Sequence, residues 1–365
     1  MLRPTQQTVR MRPLGFRPPS LVLDAELEWI LQRALGPFAW TPTKKASGAR
    51  LVDVALRLDL AARIAARHPR QLLQSEMGAT AAHRLHEQYV ATVARGALLD
   101  HALGDLLDRA SASQVPCILL KYAALNRMGA LRVGSRVASD IDVLVPHERA
   151  REFQAMLKEN GFQDLGLSEA SHQLPALLGP NGIMIELHLH IPLVTLAEGQ
   201  SFARAEDLLS AGLTVPSERA LLPEPAIVAA HAIGHGLMQH AQAPQVYSAL
   251  KTFADLADLQ LGRPSIIEQA RGYLSRTMTS EDLTSVQNLA EALAAGDLDR
   301  AMAGGPGLIL RHALASQLDH RYAVRLRLGS LIQRRGTSQR RGPARLFSAL
   351  RAAWKWARSN ANRQL

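Results

Sequence analysis

The sequence predicts an α+β protein in which a small mixed-sheet core lies between helical amino-terminal and carboxy-terminal regions. Ala, Leu and Arg are abundant and aromatic residues make up only 4% of the chain, which favours helices over most of its length. Between residues 115 and 191, short apolar runs alternate with helical patterns in the order strand, helix, strand, helix, strand. With 365 residues, 47% of them hydrophobic, the chain can bury a sizeable core.

The net charge of +10 is concentrated at the two ends. Residues 1–23 carry four arginines and no acid, and residues 331–365 carry eight arginines, one lysine and no acid. The remaining body holds 29 basic against 32 acidic residues, so its charge is no evidence for nucleic-acid binding. Four prolines interrupt residues 1–20, which we expect to form a flexible basic arm.

We expect a cytoplasmic protein. No run of 18 or more apolar residues is present, and the amino terminus lacks the apolar centre of a signal peptide. The single cysteine, Cys117, cannot form an internal disulfide and lies in an apolar run. We predict that it is a small buried hydrophobe in a reducing compartment.

Residues 21–112 predict a helical region. The run LVLDAELEWILQRAL reads as a helix ended by Gly36 and Pro37, and a loop follows at 42–48. Apolar residues then recur at three-to-four spacing, a pattern typical of amphipathic helices, over 51–67, 72–77 and 83–109.

Residues 113–222 predict the mixed-sheet core, and residues 223–330 a helical region that closes its cleft. The expected strands are 116–121, 140–145 and 182–191. The expected helices of the core are 122–128 and 147–160, the second closed by Gly161. After residue 192 helical signals return, with helices expected at 226–240, at 247–261, and over 265–330 with a break near 304–307.

An acidic pair marks the second expected strand. Asp140 and Asp142 alternate with apolar residues, so both carboxylates lie on one face, where they repel each other unless a cation such as Mg²⁺ binds between them. On the third strand Glu186, His188 and His190 share a face. If the two strands are neighbours, Glu186 completes a cluster that holds two metal ions. The alternative is a sheet edge with solvated acids.

Several motifs, in this order, resemble the uncharacterised nucleotidyltransferase family of the DNA polymerase beta superfamily. They are Leu120-Lys121, Arg136, the run at 140–145, Gly161-Phe162 and the run at 185–188. The resemblance covers about residues 115–260. It implies that Asp140, Asp142 and Glu186 bind the metals and perform catalysis.

The same resemblance implies nucleotide contacts. Lys121 and Arg136 would face the phosphates, and Ser135 and Tyr122 complete the candidates. The superfamily usually has glycine after the first strand, whereas this chain has Lys121-Tyr122-Ala123. Tyr122 either stacks on a base or packs in the interior.

Further polar residues are candidates for the substrate side of the cleft. His231 and His235 are four apart on an expected helix and Asp255 lies on the next. The two histidines either share a metal or form a polar helix face along the cleft. His188 or His190 could orient Glu186 or contact the substrate. The alternative is that each only pairs with a neighbouring carboxylate.

The tail at 331–365 contains a basic amphipathic helix over 343–358 with two tryptophans. It suits an anionic membrane surface or an acidic partner, and the alternative is packing on the body.

The leading hypothesis is a nucleotidyltransferase that uses Mg²⁺ or Mn²⁺ and a nucleoside triphosphate such as ATP. It would transfer the nucleoside monophosphate to a hydroxyl group of a small molecule, peptide or protein. The alternative is a non-catalytic binding or regulatory protein on a degenerate nucleotidyltransferase scaffold. A nucleic-acid substrate is a weaker option, because the body lacks a basic surface studded with aromatic residues.

Overall fold

The computed structural model describes residues 18–40, 46–166, 172–196, 202–239, 248–319 and 321–326. Most of the expected basic arm, the first four residues of the loop at 42–48 and the whole basic tail lie outside these residues. Within them, helices surround a sheet of seven strands, which confirms the predicted α+β class. In the described part of the chain, no helix is both long and apolar enough to span a bilayer. The five-segment division of the chain stays a prediction.

The amino-terminal helices are α1 (Ala25–Leu35), α2 (Gly48–Arg57), α3 (Ala61–Arg67), α4 (Arg70–Met77) and α5 (Ala79–Ala112). Helix α1 begins later than predicted because Asp24 caps it, accepting a hydrogen bond from the Leu27 backbone N–H at 2.9 Å. The pattern at 51–67 is divided between two helices. Between them Asp59 has a left-handed φ of 59°, which a right-handed helix does not accommodate.

The strands are β1 (Ile118–Leu119), β2 (Asp140–Leu144), β3 (Gln163–Asp164), β4 (Leu177–Leu178), β5 (Met184–His188), β6 (Thr214–Ser217) and β7 (Ala220–Pro223). They form one sheet in the order β3-β4-β5-β2-β1-β7-β6. The three predicted strands appear as β1, β2 and β5, each shorter than expected. β1 pairs antiparallel with β2 and parallel with β7, and β2 pairs parallel with β5, so the sheet is mixed as predicted.

The hairpin of β6 and β7 corrects the expectation of helix after residue 192. Its sequence, TVPSERALLP, contains Pro216 and Pro223, which lack the backbone donors that a helix interior needs. Strand β7 lies beside β1, with Leu221 opposite Ile118. The segment therefore pairs locally over four residue pairs and joins the sheet through a strand about a hundred residues earlier.

The core helices are α6 (Lys121–Arg127), α7 (His147–Glu159) and α8 (Ala205–Ser210). As predicted, the chain leaves α7 through Gly161, whose φ is 90°. The carboxy-terminal helices are α9 (Pro225–Ile233), a π-helix (Gly234–Gln239), α10 (Ala249–Gln260), α11 (Ile266–Leu274), α12 (Ser280–Ala295), α13 (Leu298–Met302) and α14 (Gly304–Leu318). The glycine-rich stretch 304–307 begins α14, and the break falls at Ala303.

Buried hydrophobic side chains of the helices and the sheet form one continuous core. Cys117 is 2% exposed within it, and burial raises the pKa of its thiol to about 12, which confirms the expected buried hydrophobe. A buried bidentate ion pair joins the amino-terminal and carboxy-terminal helices. Arg63 of α3 donates to both oxygens of Asp258 of α10, at 2.5 and 2.8 Å.

Candidate active site

The acidic residues of β2 and β5 meet on one face of the sheet. The two strands are parallel and in register, with Asp142 beside Glu186. Asp140 lines the same cleft as this pair. Ile141 and Val143 point to the opposite face and are buried in the core. The expectation that the second and third predicted strands are neighbours is therefore confirmed.

Lys121 places its ammonium between these carboxylates. It is the first residue of α6, and its backbone is left-handed, with a φ of 45°. Its Nζ lies 2.6 Å from Asp142 Oδ1 and 3.9 Å from Glu186 Oε2. Burial disfavours the charged amine, but the attraction of Asp142, Glu186 and Asp140 outweighs it and raises the pKa of Lys121. The site thus contains its own cation.

The two aspartates differ in their tendency to ionise. Burial opposes ionisation of Asp142, yet Lys121 and His188 hold its pKa well below the usual range. Burial, followed by repulsion from Asp142, raises the pKa of Asp140. The Ser139 hydroxyl donates to Asp140 Oδ1 at 3.3 Å and partly offsets this rise. Negative charge is therefore held most firmly on Asp142.

His188 is the third group around Asp142. Its Nε2 lies 2.8 Å from Asp142 Oδ1 and 3.6 Å from Glu186 Oε2. Burial lowers the pKa of His188, but the hydrogen bond to Asp142 and the proximity of the Glu186 carboxylate raise it further than burial lowers it. One oxygen each from Asp142 and Glu186 and a ring nitrogen of His188 lie within 4.8 Å of one another, close enough to hold a metal ion. This group differs from the predicted metal ligands by including His188 and omitting Asp140.

A cleft of about 370 Å³ opens over these residues. Eight further side chains in its wall are polar or positively charged: Tyr122, Arg136, Ser139, His172, Gln173, His235, Gln239 and Lys251. Cations and hydrogen-bond donors beside a carboxylate cluster suit a ligand that carries phosphates.

Arg136 and Tyr122 lie together in the cleft wall. Arg136 Nε donates to Asp255 Oδ1 at 2.7 Å, and its guanidinium carbon lies 6.0 Å from the Tyr122 ring centroid. Tyr122 is half-buried, so its ring both packs against the protein and faces the cleft. The left-handed backbone conformation falls on Lys121 and not on Tyr122, so Tyr122 does not need the freedom of glycine.

Ser135 and Asp255 lie behind the cleft wall. Both line a small cavity on the far side of Arg136 and are absent from the cleft lining formed by the described residues. The Ser135 hydroxyl is buried and has no hydrogen-bond partner in the described part of the chain. The structure thus brings Asp255 to Arg136 and does not bring Ser135 to the cleft surface.

The remaining predicted histidines divide into two groups. His190 stacks on Phe202, with ring centroids 5.0 Å apart and planes inclined by 10°, and is not among the described residues that line the cleft. His231 is 3% exposed, and its burial lowers its pKa well below the usual value. Its ring meets that of His235 edge-on at 5.6 Å. His235 lies in the π-helix and faces the cleft, and π-helical turns are frequent at functional sites.

Several cleft residues were not predicted from the sequence, among them His172, Gln239 and Lys251. His172 and the Gln239 side chain approach to 3.4 Å, and burial lowers the pKa of His172 to about 4. No local pattern marks either residue, because they come together only through the fold. Lys251 stands four residues before Asp255 on α10, and helical spacing would have placed it on the same face.

Adjacent strands of a small mixed sheet present carboxylates to a polar cleft, and the lysine at the start of α6 lies beside them. This is the arrangement expected of a nucleotidyltransferase. Residues 45–271, more than half of the chain, match the model of a family described as "Uncharacterised nucleotidyltransferase". The chain belongs to this family. The match extends beyond the resemblance over residues 115–260 in both directions. Searches of curated proteins and of solved structures gave no match.

Proposed function

We propose that this protein is a metal-dependent nucleotidyltransferase that moves a nucleoside monophosphate from a nucleoside triphosphate to a hydroxyl group. One observation carries the proposal: Asp142 and Glu186 pair in register on parallel strands, and the Lys121 ammonium lies beside both. The acceptor oxygen would form a bond to the α-phosphorus while the bond to the bridging oxygen breaks. Pyrophosphate leaves, and the hydroxyl proton passes to a carboxylate of the cleft.

The carboxylates fit a divalent cation. Asp142 and Glu186 already hold a positive charge, since Lys121 Nζ lies 2.6 Å from Asp142. Carboxylate oxygens are the ligands that Mg²⁺ and Mn²⁺ prefer. Asp140 lines the same cleft and would be a further ligand. A cation bound there would supply positive charge that stabilises the oxygens of a phosphoryl displacement. His188 fixes the orientation of the Asp142 carboxylate through its hydrogen bond.

The cleft cations would bind the donor. Lys121 and Arg136 are placed to pair with phosphate oxygens, and the exposed face of Tyr122 suits stacking on a base. Ser135, behind the wall, would act only through the loop that carries Arg136. His172 and His235 border the same cleft and are our candidates for contact with the acceptor.

Calorimetric titration tests this proposal. The protein is titrated with ATP, GTP, CTP and UTP, each with Mg²⁺ or Mn²⁺ and with a chelator. We expect saturable binding of at least one nucleotide that requires the metal, and loss of that binding in the double variant Asp140→Asn, Asp142→Asn. Asp164→Asn is the matched control, because Asp164 lies exposed on β3 and pairs with Lys158. If none of the four nucleotides binds, the proposal fails.

A second candidate function is a non-catalytic binding or regulatory protein on this scaffold. The observation that favours it is the Lys121 ammonium, which partly offsets the charge of Asp142 and Glu186. This function predicts a partner that is retained in a pull-down by the double aspartate variant and lost on deletion of residues 343–358. Retention by the deletion variant would contradict it.

A further inference from the structure

Helix α10 presents three charged side chains at one-turn spacing to three different parts of the chain. Lys251 Nζ lies 3.3 Å from Asp59 Oδ2 between α2 and α3, and Asp258 binds Arg63 of α3. Between them, Asp255 accepts the 2.7 Å hydrogen bond from Arg136. Of these three pairs, the Asp255 pair is the one that reaches a residue in the loop between α6 and β2.

The ion pair of Asp255 and Arg136 forms part of the partition between two spaces. Arg136, Val137 and Lys251 line both the cleft and the small cavity behind it, whereas Asp255 lines only the cavity. The side chains of Arg136 and Asp255 are 10% and 3% exposed. Arg136 is thus held from behind, on the side away from the cleft.

Arg136 needs such a support because its backbone belongs to no helix or strand. Residues 128–139 are irregular, and a long side chain on an irregular segment loses conformational entropy when it is held for binding. Asp255 stands in the middle of a buried helix. Because the hydrogen bond uses Nε, it fixes the plane of the guanidinium as well as its position.

We propose that Asp255 is a positioning residue, which holds the Arg136 guanidinium in the orientation that pairs with the phosphates of the donor nucleotide. The inference rests on the proposed function and adds to it a residue that touches neither donor nor acceptor. A purely structural ion pair would stabilise the fold and leave nucleotide affinity unchanged. The proposed role requires that the effect of Asp255 on affinity pass through Arg136.

The chain provides a matched control on the same helix. Asp258 is one turn from Asp255, is also buried, and also binds a buried arginine. Asp258 lines neither the cleft nor the cavity behind it. Asp258→Asn therefore removes an equivalent charge pair without reaching the nucleotide.

The experiment is a double-mutant cycle on the dissociation constant of the nucleotide that binds the wild-type protein in the presence of Mg²⁺. The variants are Asp255→Asn, Arg136→Ala, their combination, and Asp258→Asn. We expect Asp255→Asn to weaken binding about tenfold in the wild-type background and not to change it in the Arg136→Ala background. Asp258→Asn should lower the melting temperature and leave the dissociation constant unchanged.

Equal weakening by Asp255→Asn in both backgrounds, or no weakening in either, would overturn the proposal. If Asp255→Asn does not fold, Asp255→Glu keeps the charge and shifts the guanidinium. It should weaken binding only when Arg136 is present, and the same weakening with and without Arg136 counts against the proposal. If the wild-type protein binds no nucleotide, the proposed function fails together with this proposal. If it binds a nucleotide but the effect of Asp255→Asn does not depend on Arg136, only this proposal fails.

Discussion

At the scale of single residues, the main question is what balances the charge of the carboxylates. Lys121 supplies a positive charge at this cluster in the structure, with its Nζ 2.6 Å from Asp142 Oδ1. A divalent cation at Asp142 and Glu186 would compete with the ammonium for the same oxygens. Lys121 and a bound metal ion would thus be alternative counterions for the same carboxylates. Substitution of Lys121 separates the effect of the ammonium from the effect of the metal.

We predict that Lys121→Met destabilises the metal-free protein by about 3 kcal/mol, because it leaves buried carboxylates without their cation. Mn²⁺ should then raise the melting temperature of Lys121→Met more than that of the wild-type protein, since no ammonium competes. Thermal unfolding with and without Mn²⁺ measures both effects. Lys158→Met removes an exposed surface pair with Asp164. It should cause neither the loss of stability nor the larger response to Mn²⁺. An equal Mn²⁺ response in all three proteins would exclude a cation site at these carboxylates.

Histidine burial predicts a loss of stability in acid. Burial lowers the pKa of His172 and of His190 to about 4, whereas unfolded histidine titrates near 6.5. Between these values the unfolded chain binds more protons than the folded protein, so the free energy of unfolding falls as the pH falls from about 6.5 to about 4. His190→Gln should make this fall shallower.

Urea unfolding at several pH values between 7 and 4 measures the slope for His190→Gln against the wild-type protein. The comparison cancels the contributions of the other titrating groups. A slope in His190→Gln as steep as in the wild-type protein would contradict the assignment.

At the scale of elements, the loop between α6 and β2 is held against α5 by close packing at Gly134. Gly134 has a φ of 71°, and a Cβ there would lie 2.6 Å from Tyr89 Cε2 and from Val93 Cγ2. Gly129 in the same loop has a φ of 66°, but a Cβ there would meet no atom within 4 Å. Both glycines therefore have a left-handed backbone conformation, but an added Cβ would overlap with neighbouring side chains only at Gly134.

We predict that Gly129→Ala costs about 1 kcal/mol of unfolding free energy through its left-handed backbone. Gly134→Ala should cost about 3 kcal/mol, because the overlap with two side chains is added. Gly134→Ala should also weaken nucleotide binding, since the displaced loop carries Arg136. Denaturant unfolding and titration calorimetry measure the two effects. Equal costs for both variants would show that the loop does not pack on α5 as described.

The elements that sequence patterns predict well are those in which the pattern itself determines the face. Alternation placed Asp140 and Asp142 together on β2, and the parallel register then brought Glu186 beside Asp142. The hairpin of β6 and β7 was missed although Pro216 and Pro223 argue against a helix there, and its place beside the distant strand β1 is not encoded locally. Alternation also placed His188 on the face of Glu186, and its hydrogen bond to Asp142 follows from the parallel register. The participation of His172 in the cleft depends on how the loops pack, which spacing does not encode.

At the scale of the whole molecule, helices from both ends of the described chain share one core with the sheet. The Gln32 side-chain amide of α1 donates to the Gly296 carbonyl after α12 at 2.6 Å. The pair of Arg63 and Asp258 adds a second link between the same regions. The amino-terminal and carboxy-terminal helices are thus joined by two direct side-chain links as well as by shared hydrophobic packing.

We predict that the chain unfolds in one cooperative transition, because most of the described helices and the sheet share one large hydrophobic core. Scanning calorimetry should give a single peak, with calorimetric and van't Hoff enthalpies in agreement. Asp258→Asn should shift that peak to lower temperature without dividing it. Two separable peaks, or a calorimetric enthalpy well above the van't Hoff value, would mean that the helical layer and the sheet fold independently.

The link between α3 and α10 also bears on synthesis. Arg63 and Asp258 are 195 residues apart. At about 5–20 residues per second, the ribosome takes roughly 10–40 s to make the chain between them. During that interval the nascent amino-terminal helices offer Arg63 the Ala34 carbonyl, 2.7 Å from its Nε, but not the carboxylate that pairs with it in the finished protein. Completion of their packing must therefore wait until α10 has left the ribosome.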